Sequence, residues 1–476
     1  MVNGEANFWD QSIWSFVTVL AVLFGAMIVM NALRRNLPFL RKSLIPSSVL
    51  AGFGVLIAGA VWKRLTGKPM LSTTTLEALT YHGLGLGFVA LSLRSTEKQK
   101  GRQARRDIFN TSTVVVSTYL LQGIVGLALT LALFYAIKSF AAAGMLLPMG
   151  YGQGPGQAYT WGKNFSDLGF ENGISYGLSV AACGFISASA GGVIYLGRIR
   201  RKKNVRRVEN AEEIERLTAE TITAPGEIPL SESVDKLTVQ FALVFIAYGI
   251  AYLLMYLVHT LCSGIKFYDN TVRPLMWGFN FLVGTAVAIG LKSVLNLLMR
   301  KNIMKRAYTN NFMLNRISGT MFDLMVAASI AAIDLGAFSH KEFVLPLTLT
   351  CAVGAAATYL YCKWTCARLF GSYEDEAFLA LYGMLTGTAS TGVILLREID
   401  PSFETPASSN LVYQNLWSII MGFPMLLLMG YVAKSLAWSW ATLGIMLMLE
   451  ALMLALMFRG KLKQLFGKGV SKQEGK

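Results

Sequence analysis

Two stretches of this sequence combine glycine with side chains able to grip a ligand. Gly144 to Phe165 reads GMLLPMGYGQGPGQAYTWGKNF, and Phe378 to Arg397 reads FLALYGMLTGTASTGVILLR. In the first, Gln153 and Gln157 each offer one acceptor and two donors, Gly154 and Gly156 permit close backbone approach, and Pro155 fixes one turn residue or begins a helix. In the second, the hydroxyls of Thr388, Ser390 and Thr391 lie between Gly387 and Gly392. Glycine costs a helix about 1 kcal/mol per residue against alanine, so neither stretch favours an unbroken helix. A half-helix starting at each turn would aim N–H groups and its positive dipole end at an anion. The opened carbonyls and hydroxyl oxygens suit a hard cation such as Na⁺. The expected ligands are an anionic solute and a cation.

Such turns need surroundings that exclude water, and the composition supplies them. Of 476 residues, 54% are hydrophobic and only 15% charged, and the mean hydropathy is +0.49. That leaves too little polar surface to coat a soluble globule. The apolar residues gather in runs of about twenty, the length of a membrane-spanning helix, rather than in the alternating segments of a β-barrel. Spans are expected at 14–33, 44–62, 76–93, 111–137, 173–197, 238–260, 275–298, 317–337, 344–367, 411–433 and 436–458. The net charge of +16 would suggest nucleic acid in a soluble protein. Here the Lys and Arg fall between spans, as at Arg34, Arg35, Arg41 and Lys42, around Arg94 to Arg106, and from Arg198 to Arg207. By the positive-inside rule these loops are cytoplasmic, which puts the N-terminus outside and the C-terminus inside. Met1 to Gln11 lacks the basic region of a signal peptide, so the first span is expected to persist.

The hydrophilic segment 198–236 reads as a linker. Five spans precede it, and because five is odd, two similar halves on either side would lie in opposite orientations. The two glycine-rich stretches occupy the same ordinal place in each half. Paired, Gly-interrupted hydrophobic segments at corresponding positions point to the binding site of a secondary transporter. The expected fold is an all-α polytopic membrane protein: an inverted repeat over 1–197 with a reentrant hairpin at 144–165, the linker, a second repeat over 237–433 with a hairpin at 378–397, and an extra span with a basic tail over 434–476. Two other readings of the glycines compete. Small residues also serve plain helix packing in membranes. A phosphate-binding loop at Gly156 to Lys163 fails on spacing, with Asn164 where Ser or Thr should stand.

Ionisable groups inside spans are functional candidates because each costs on the order of 3 kcal/mol at a helix centre on insertion scales. Asp323 either ligates Na⁺ or relays a proton, or else makes a structural hydrogen bond. Arg397 either forks onto a substrate carboxylate or anchors the interface, with Glu398 a candidate partner. Gln414 and Asn415 are weaker polar candidates, and Glu450 in the extra span reads as structural. The expected substrate contacts are Gln153, Gly154, Gly156, Gln157, Ser390, Thr391, Gly392 and Arg397; the expected Na⁺ ligands are Asp323, Thr388, Ser390 and Thr391. His82, His259 and His340 are scattered, Cys362 and Cys366 have no companion ligands, and five unpaired cysteines suggest reduced thiols. No nucleophile–base–orienter set stands out, so neither an enzyme nor a transition-metal site is expected. A channel is the less favoured alternative, since channels usually repeat one filter by oligomeric symmetry.

The two Gly-rich hairpins, the Leu44-Ile45-Pro46 start of the second span after Phe39-Leu40-Arg41-Lys42, and the central linker together resemble the bacterial sodium/glutamate symporter family, over roughly residues 12–433. In that family the first hairpin reads closer to Gly-Gly-His-Gly-Thr-Gly, where this chain has Tyr151-Gly152-Gln153-Gly154-Pro155-Gly156. The span at 436–458 exceeds the family's ten-span plan. The resemblance implies Na⁺-driven uptake of glutamate or a related anion across the bacterial cytoplasmic membrane, by a homodimer, with Na⁺ as coupling ion and no other cofactor. Proton coupling through Asp323 is the alternative within transport. The charge distribution yields a first test: a cysteine introduced as Ser231→Cys should resist membrane-impermeant thiol reagents in intact cells and react once the membrane is opened, and labelling from outside would overturn the orientation.

Overall fold

An apolar run in a dry environment becomes helix because only helix satisfies every backbone group within its own segment. The computed structural model describes residues 9, 11–95, 101–203, 234–401 and 403–459. The linker beyond Lys203 and the basic tail after Arg459 lie outside the described residues. Every extended regular element among the described residues is a helix. In chain order these are α1 (Gln11–Asn36), α2 (Pro38–Ser43), α3 (Ser47–Thr66), α4 (Thr73–Leu93), α5 (Arg102–Ile137), α6 (Pro155–Asp167) and α7 (Gly173–Lys203), followed by α8 (Lys236–Cys262), α9 (Arg273–Gly278), α10 (Asn280–Arg300) and α11 (Asn311–Ala331). The remainder are α12 (Lys341–Leu369), α13 (Glu374–Thr386), α14 (Ala389–Leu396), α15 (Ala407–Tyr413), α16 (Asn415–Val432) and α17 (Leu436–Met457).

Nine of these helices, among the described residues, are long and apolar enough to cross a membrane: α1, α3, α4, α5, α7, α8, α10, α12 and α17. The architecture is that of a polytopic helical membrane protein. The expected span at 411–433 appears as the pair α15 and α16, bent by 55°. The expected span at 317–337 is displaced. Asn310 starts α11 early by accepting the Met313 N–H at 2.8 Å, and the helix then carries both Arg316 and Asp323, which lower its apolarity. The expected span at 275–298 is interrupted at Phe279, between α9 and α10. Large apolar side chains on α8, among them Ile246, Leu253 and Leu257, face outward; a contiguous apolar face of this kind suits lipid.

The helices gather into two compact units. The first holds α1 to α4, α6, the start of α7, and α8 to α11. Its centre is the pairing of α4 with α11, flanked by α3 on α11 and α10 on α4. Leu86, Val89, Ala90 and Leu93 of α4 bury against Val244 and Ala247 of α8, Ala288 of α10, and Leu314 and Ile317 of α11. Lys292 of α10 donates to the carbonyls of Ser92 and Arg94 at 2.9 and 2.8 Å, closing the C-terminal end of α4.

The second unit holds α5, the turns that follow it, the rest of α7, and α12 to α17. Its centre is α5, against which α12, α16 and α17 pack. Helices α13 and α14 fold back on each other as a hairpin. Their approach depends on Gly392, where an added Cβ would lie 2.3 Å from the Ala380 carbonyl oxygen. Gly392→Ala should therefore lower thermal stability in lipid nanodiscs, by about 1–3 kcal/mol as overpacking does. Gly290→Ala, at a position with nothing within 4 Å, should raise it by about 0.5–1 kcal/mol. Equal effects from both would remove the close-packing account.

Candidate functional site

Within the second unit the most developed polar site is built on α5. After α5 the chain turns back through Ala143–Met145 and a π-helical turn over Pro148–Gly152. Thr130 of α5 fastens this return: its Oγ1 donates to the Ala141 carbonyl at 2.7 Å and accepts the Gly144 N–H at 3.1 Å. Tyr119, about three turns earlier, donates to the Gly152 carbonyl at 3.1 Å. Only glycine fits there, because a Cβ on residue 152 would lie 2.4 Å from the Tyr119 ring. Tyr151 is fully buried and donates to the Cys351 carbonyl at 2.9 Å, with Ser187 Oγ at 3.0 Å.

Gln122 sits where this turn meets the end of α13. Its Nε2 donates to the Leu385 carbonyl at 2.8 Å and to Thr358 Oγ1 at 3.1 Å. Leu385 lies in the last turn of α13, where carbonyls lose their intrahelical partners. The side chain of Gln122 thus replaces the N–H that the helix break removes. Gln122 is 1% exposed, and its Oε1 has no hydrogen-bonding partner. A Cβ on residue 152 would lie 3.1 Å from that oxygen. The Gln122, Thr358 and Leu385 oxygens form a buried group of acceptors, which attracts a cation or a donor rather than an anion.

The hydroxyl turn lies just beyond. Thr388 is the N-cap of α14: its Oγ1 accepts the Thr391 N–H at 3.4 Å and contacts Thr391 Oγ1 at 3.2 Å. Thr391 and Gly392 are buried, Thr388 is half-buried, and Ser390 is exposed. Two of the three expected hydroxyls therefore engage each other, and Ser390 is the outward one. Arg397 closes the other end of α14, about 9 Å along the axis from Thr391 at helical rise. It is exposed, with its guanidinium 5.2 Å from the Phe403 ring centroid. Glu398 pairs with Arg200 at 2.7 Å. The structure does not bring Arg397 to the hydroxyl turn.

The other expected residues belong to the first unit. The chain passes from the second unit to the first between Gln153 and Gly154. Gly154 takes φ 88°, a conformation suited to glycine, and Pro155 then opens α6 without a side-chain cap. Gly156 packs on Leu84, 2.7 Å from where its Cβ would be. Gln157 is buried, donates through Nε2 to the Gly278 carbonyl at 3.1 Å, and accepts from Trp161 Nε1 at 3.2 Å. It serves the α9–α10 break as Gln122 serves the end of α13. Nearby Tyr81 donates to the Trp277 carbonyl at 2.7 Å. Asn280 donates to Tyr248 at 2.8 Å while its own buried Oδ1 lacks a partner. Asp323 is exposed on α11, beside the Ser48 hydroxyl of α3. Gln153, Thr388, Ser390, Thr391, Gly392 and Arg397 are in the second unit; Gly154, Gly156, Gln157 and Asp323 are in the first.

Sequence reasoning missed Gln122, Tyr119 and Thr358. A signal was present: Gln122 is the only amide side chain in the span at 111–137, where a search for charges passes over it. Among the described residues no three His, Cys, Asp or Glu side chains group to hold a metal. No protein-family model and no curated protein matches the chain. Gln122→Leu strands the Leu385 carbonyl, so thermal unfolding should show a loss of about 1–3 kcal/mol, as for an unsatisfied buried group. Ser390→Ala, at an exposed position, should stay within about 0.5 kcal/mol of the parent.

Proposed function

We propose that the protein is a secondary active transporter that couples entry of an anionic, glutamate-like solute to Na⁺. The observation that carries this reading is the junction at Gln122, where a glycine-rich turn and the end of a second broken helix meet beside a buried, unpartnered oxygen. Broken helices inside a membrane protein persist where they line a polar site, and their released carbonyls are the usual cation ligands. Anion recognition falls, on this reading, to the uncapped start of α6.

The proposed inverted repeat draws support from packing inside each unit. Matching α1, α3 and α4 with α8, α10 and α11, and α5 with α12, turns the contact pattern of each unit into its own mirror in sequence order. In the first unit α4 meets α11, α1 meets α3 as α8 meets α10, and α3 meets α11 as α10 meets α4. In the second unit α5 meets α12, and the turns after α5 pack on it as α13 packs on α12. A twofold relation between halves gives this pattern, and the odd number of expected spans before the linker makes that relation an inversion. In this reading the protein works as a homodimer in a bacterial cytoplasmic membrane, N-terminus outside.

Purified protein in proteoliposomes should accumulate one of glutamate, aspartate or a dicarboxylate under an inward Na⁺ gradient, and lose that uptake when choline replaces Na⁺. Thr358→Val and Thr391→Val each remove an oxygen while keeping shape. Either should raise the half-saturating Na⁺ concentration about tenfold, the equivalent of 1.4 kcal/mol. Uptake indifferent to choline would overturn Na⁺ coupling; unchanged Na⁺ curves would remove these hydroxyls from the cation site.

A further inference from the structure

The extra helix α17 carries a carboxyl group into the interior of the second unit. Its buried residues, Ser439, Thr442, Met446, Glu450, Met453 and Met457, recur every three or four positions and form one stripe. That stripe faces α5, where Met446 packs on Gly123. Glu450 lies in the middle of it, 8% exposed. Ser117 of α5 and Tyr361 of α12 are within hydrogen-bonding distance of Glu450 Oε1, at 2.6 and 2.8 Å. Ser117 Oγ and Tyr361 OH are also hydrogen-bonded to each other. Glu450 Oε2 is buried with no partner.

Counting protons shows what would close this triangle. Three oxygens in mutual contact make three edges, and each hydrogen bond needs one proton. Ser117 and Tyr361 bring one each. With Glu450 ionised, both would point at Oε1 and the Ser117–Tyr361 edge would set two lone pairs against each other. With a proton on Oε1, the ring closes: carboxyl to one hydroxyl, that hydroxyl to the other, and the second back to the carboxyl. The charge balance agrees. The groups acting on Glu450 are Ser117 from α5 and Tyr361 from α12, with Cys362 next to Tyr361. Two basic groups at this end of the unit are engaged elsewhere, Arg459 over the Phe109 ring at 4.7 Å and Arg368 over Trp364 at 5.2 Å, and Lys363 of α12 is exposed. An isolated carboxylate here would bear a desolvation cost of several kcal/mol with no cation to offset it.

We infer that Glu450 is a proton-binding site, in which a carboxylic acid closed into a ring with Ser117 and Tyr361 docks α17 on α5. This assignment stands whatever solute the protein moves.

Two measurements on the full-length protein in nanodiscs test it. Infrared spectra at neutral pH should contain a protonated-carboxyl C=O band that shifts on ¹³C-glutamate labelling, disappears in Glu450→Gln, and moves in Tyr361→Phe as its hydrogen bond is lost. Thermal unfolding at neutral pH should leave Glu450→Gln, a neutral group of the same shape that can still donate, close to the parent midpoint. If Glu450→Gln does not accumulate, Ser117→Ala and Tyr361→Phe carry the infrared comparison. A carboxyl region without a glutamate-derived acid band would overturn the site. A Glu450→Gln midpoint well below that of the parent would do the same.

Discussion

A carbonyl released where a helix breaks must find a donor when no water is at hand, and much of this protein is arranged to supply one. Gln122 reaches Leu385, Gln157 reaches Gly278, and Tyr81 reaches Trp277. Lys292 does the same for two carbonyls at the end of α4. Each donor stands on a different helix from the break it serves. These interruptions are therefore bound to a neighbour, and they become fixed points of the fold rather than weak ones. The cost of leaving such a group unpaired, about 1–3 kcal/mol, explains why long amide and phenol side chains sit inside apolar helices that would otherwise exclude them.

Glycine is the complement of this arrangement. A side chain can cap a broken helix only when the two backbones lie close, and the chain places small residues at those contacts. Gly126 and Gly144 bring α5 and its return turn into backbone contact, and Gly184 of α7 lets the Thr386 carbonyl approach. The glycines of the two interrupted stretches do different work at different positions. Gly392 and Gly156 are packing residues, whereas Gly154 supplies a left-handed turn that opens α6.

What the sequence discloses follows from what is local. Apolar runs mark α8 and α17 to within two residues, because length and hydropathy alone decide a span. The two interrupted stretches were legible for the same reason, since glycine, proline and hydroxyl residues declare a break wherever they stand. The start of α11 was not, because Asn311 and Arg316 dilute its apolar character and the cap at Asn310 overrides that dilution. The break at Phe279 was also hidden, as its carbonyls are satisfied by residues more than a hundred positions away. Gln122 gave only the faint mark of one neutral amide in an apolar run. Glu450 was visible as a charge, but its meaning depends on two hydroxyls from two other helices. The division into two units was illegible altogether, because it rests on which distant helices pair.

The pairing of α4 with α11 also sets an order of events during synthesis. Thr73–Leu93 leaves the ribosome long before Asn311–Ala331, so the buried face of α4, with Gly83 and Gly87 on it, must wait in the bilayer without its partner. Helix α5 faces a similar delay before α12 arrives. The nascent chain therefore inserts its early helices as separate spans and assembles them only after the linker has been translated. A truncated product ending in that linker would hold every span of the first half and the core of neither unit.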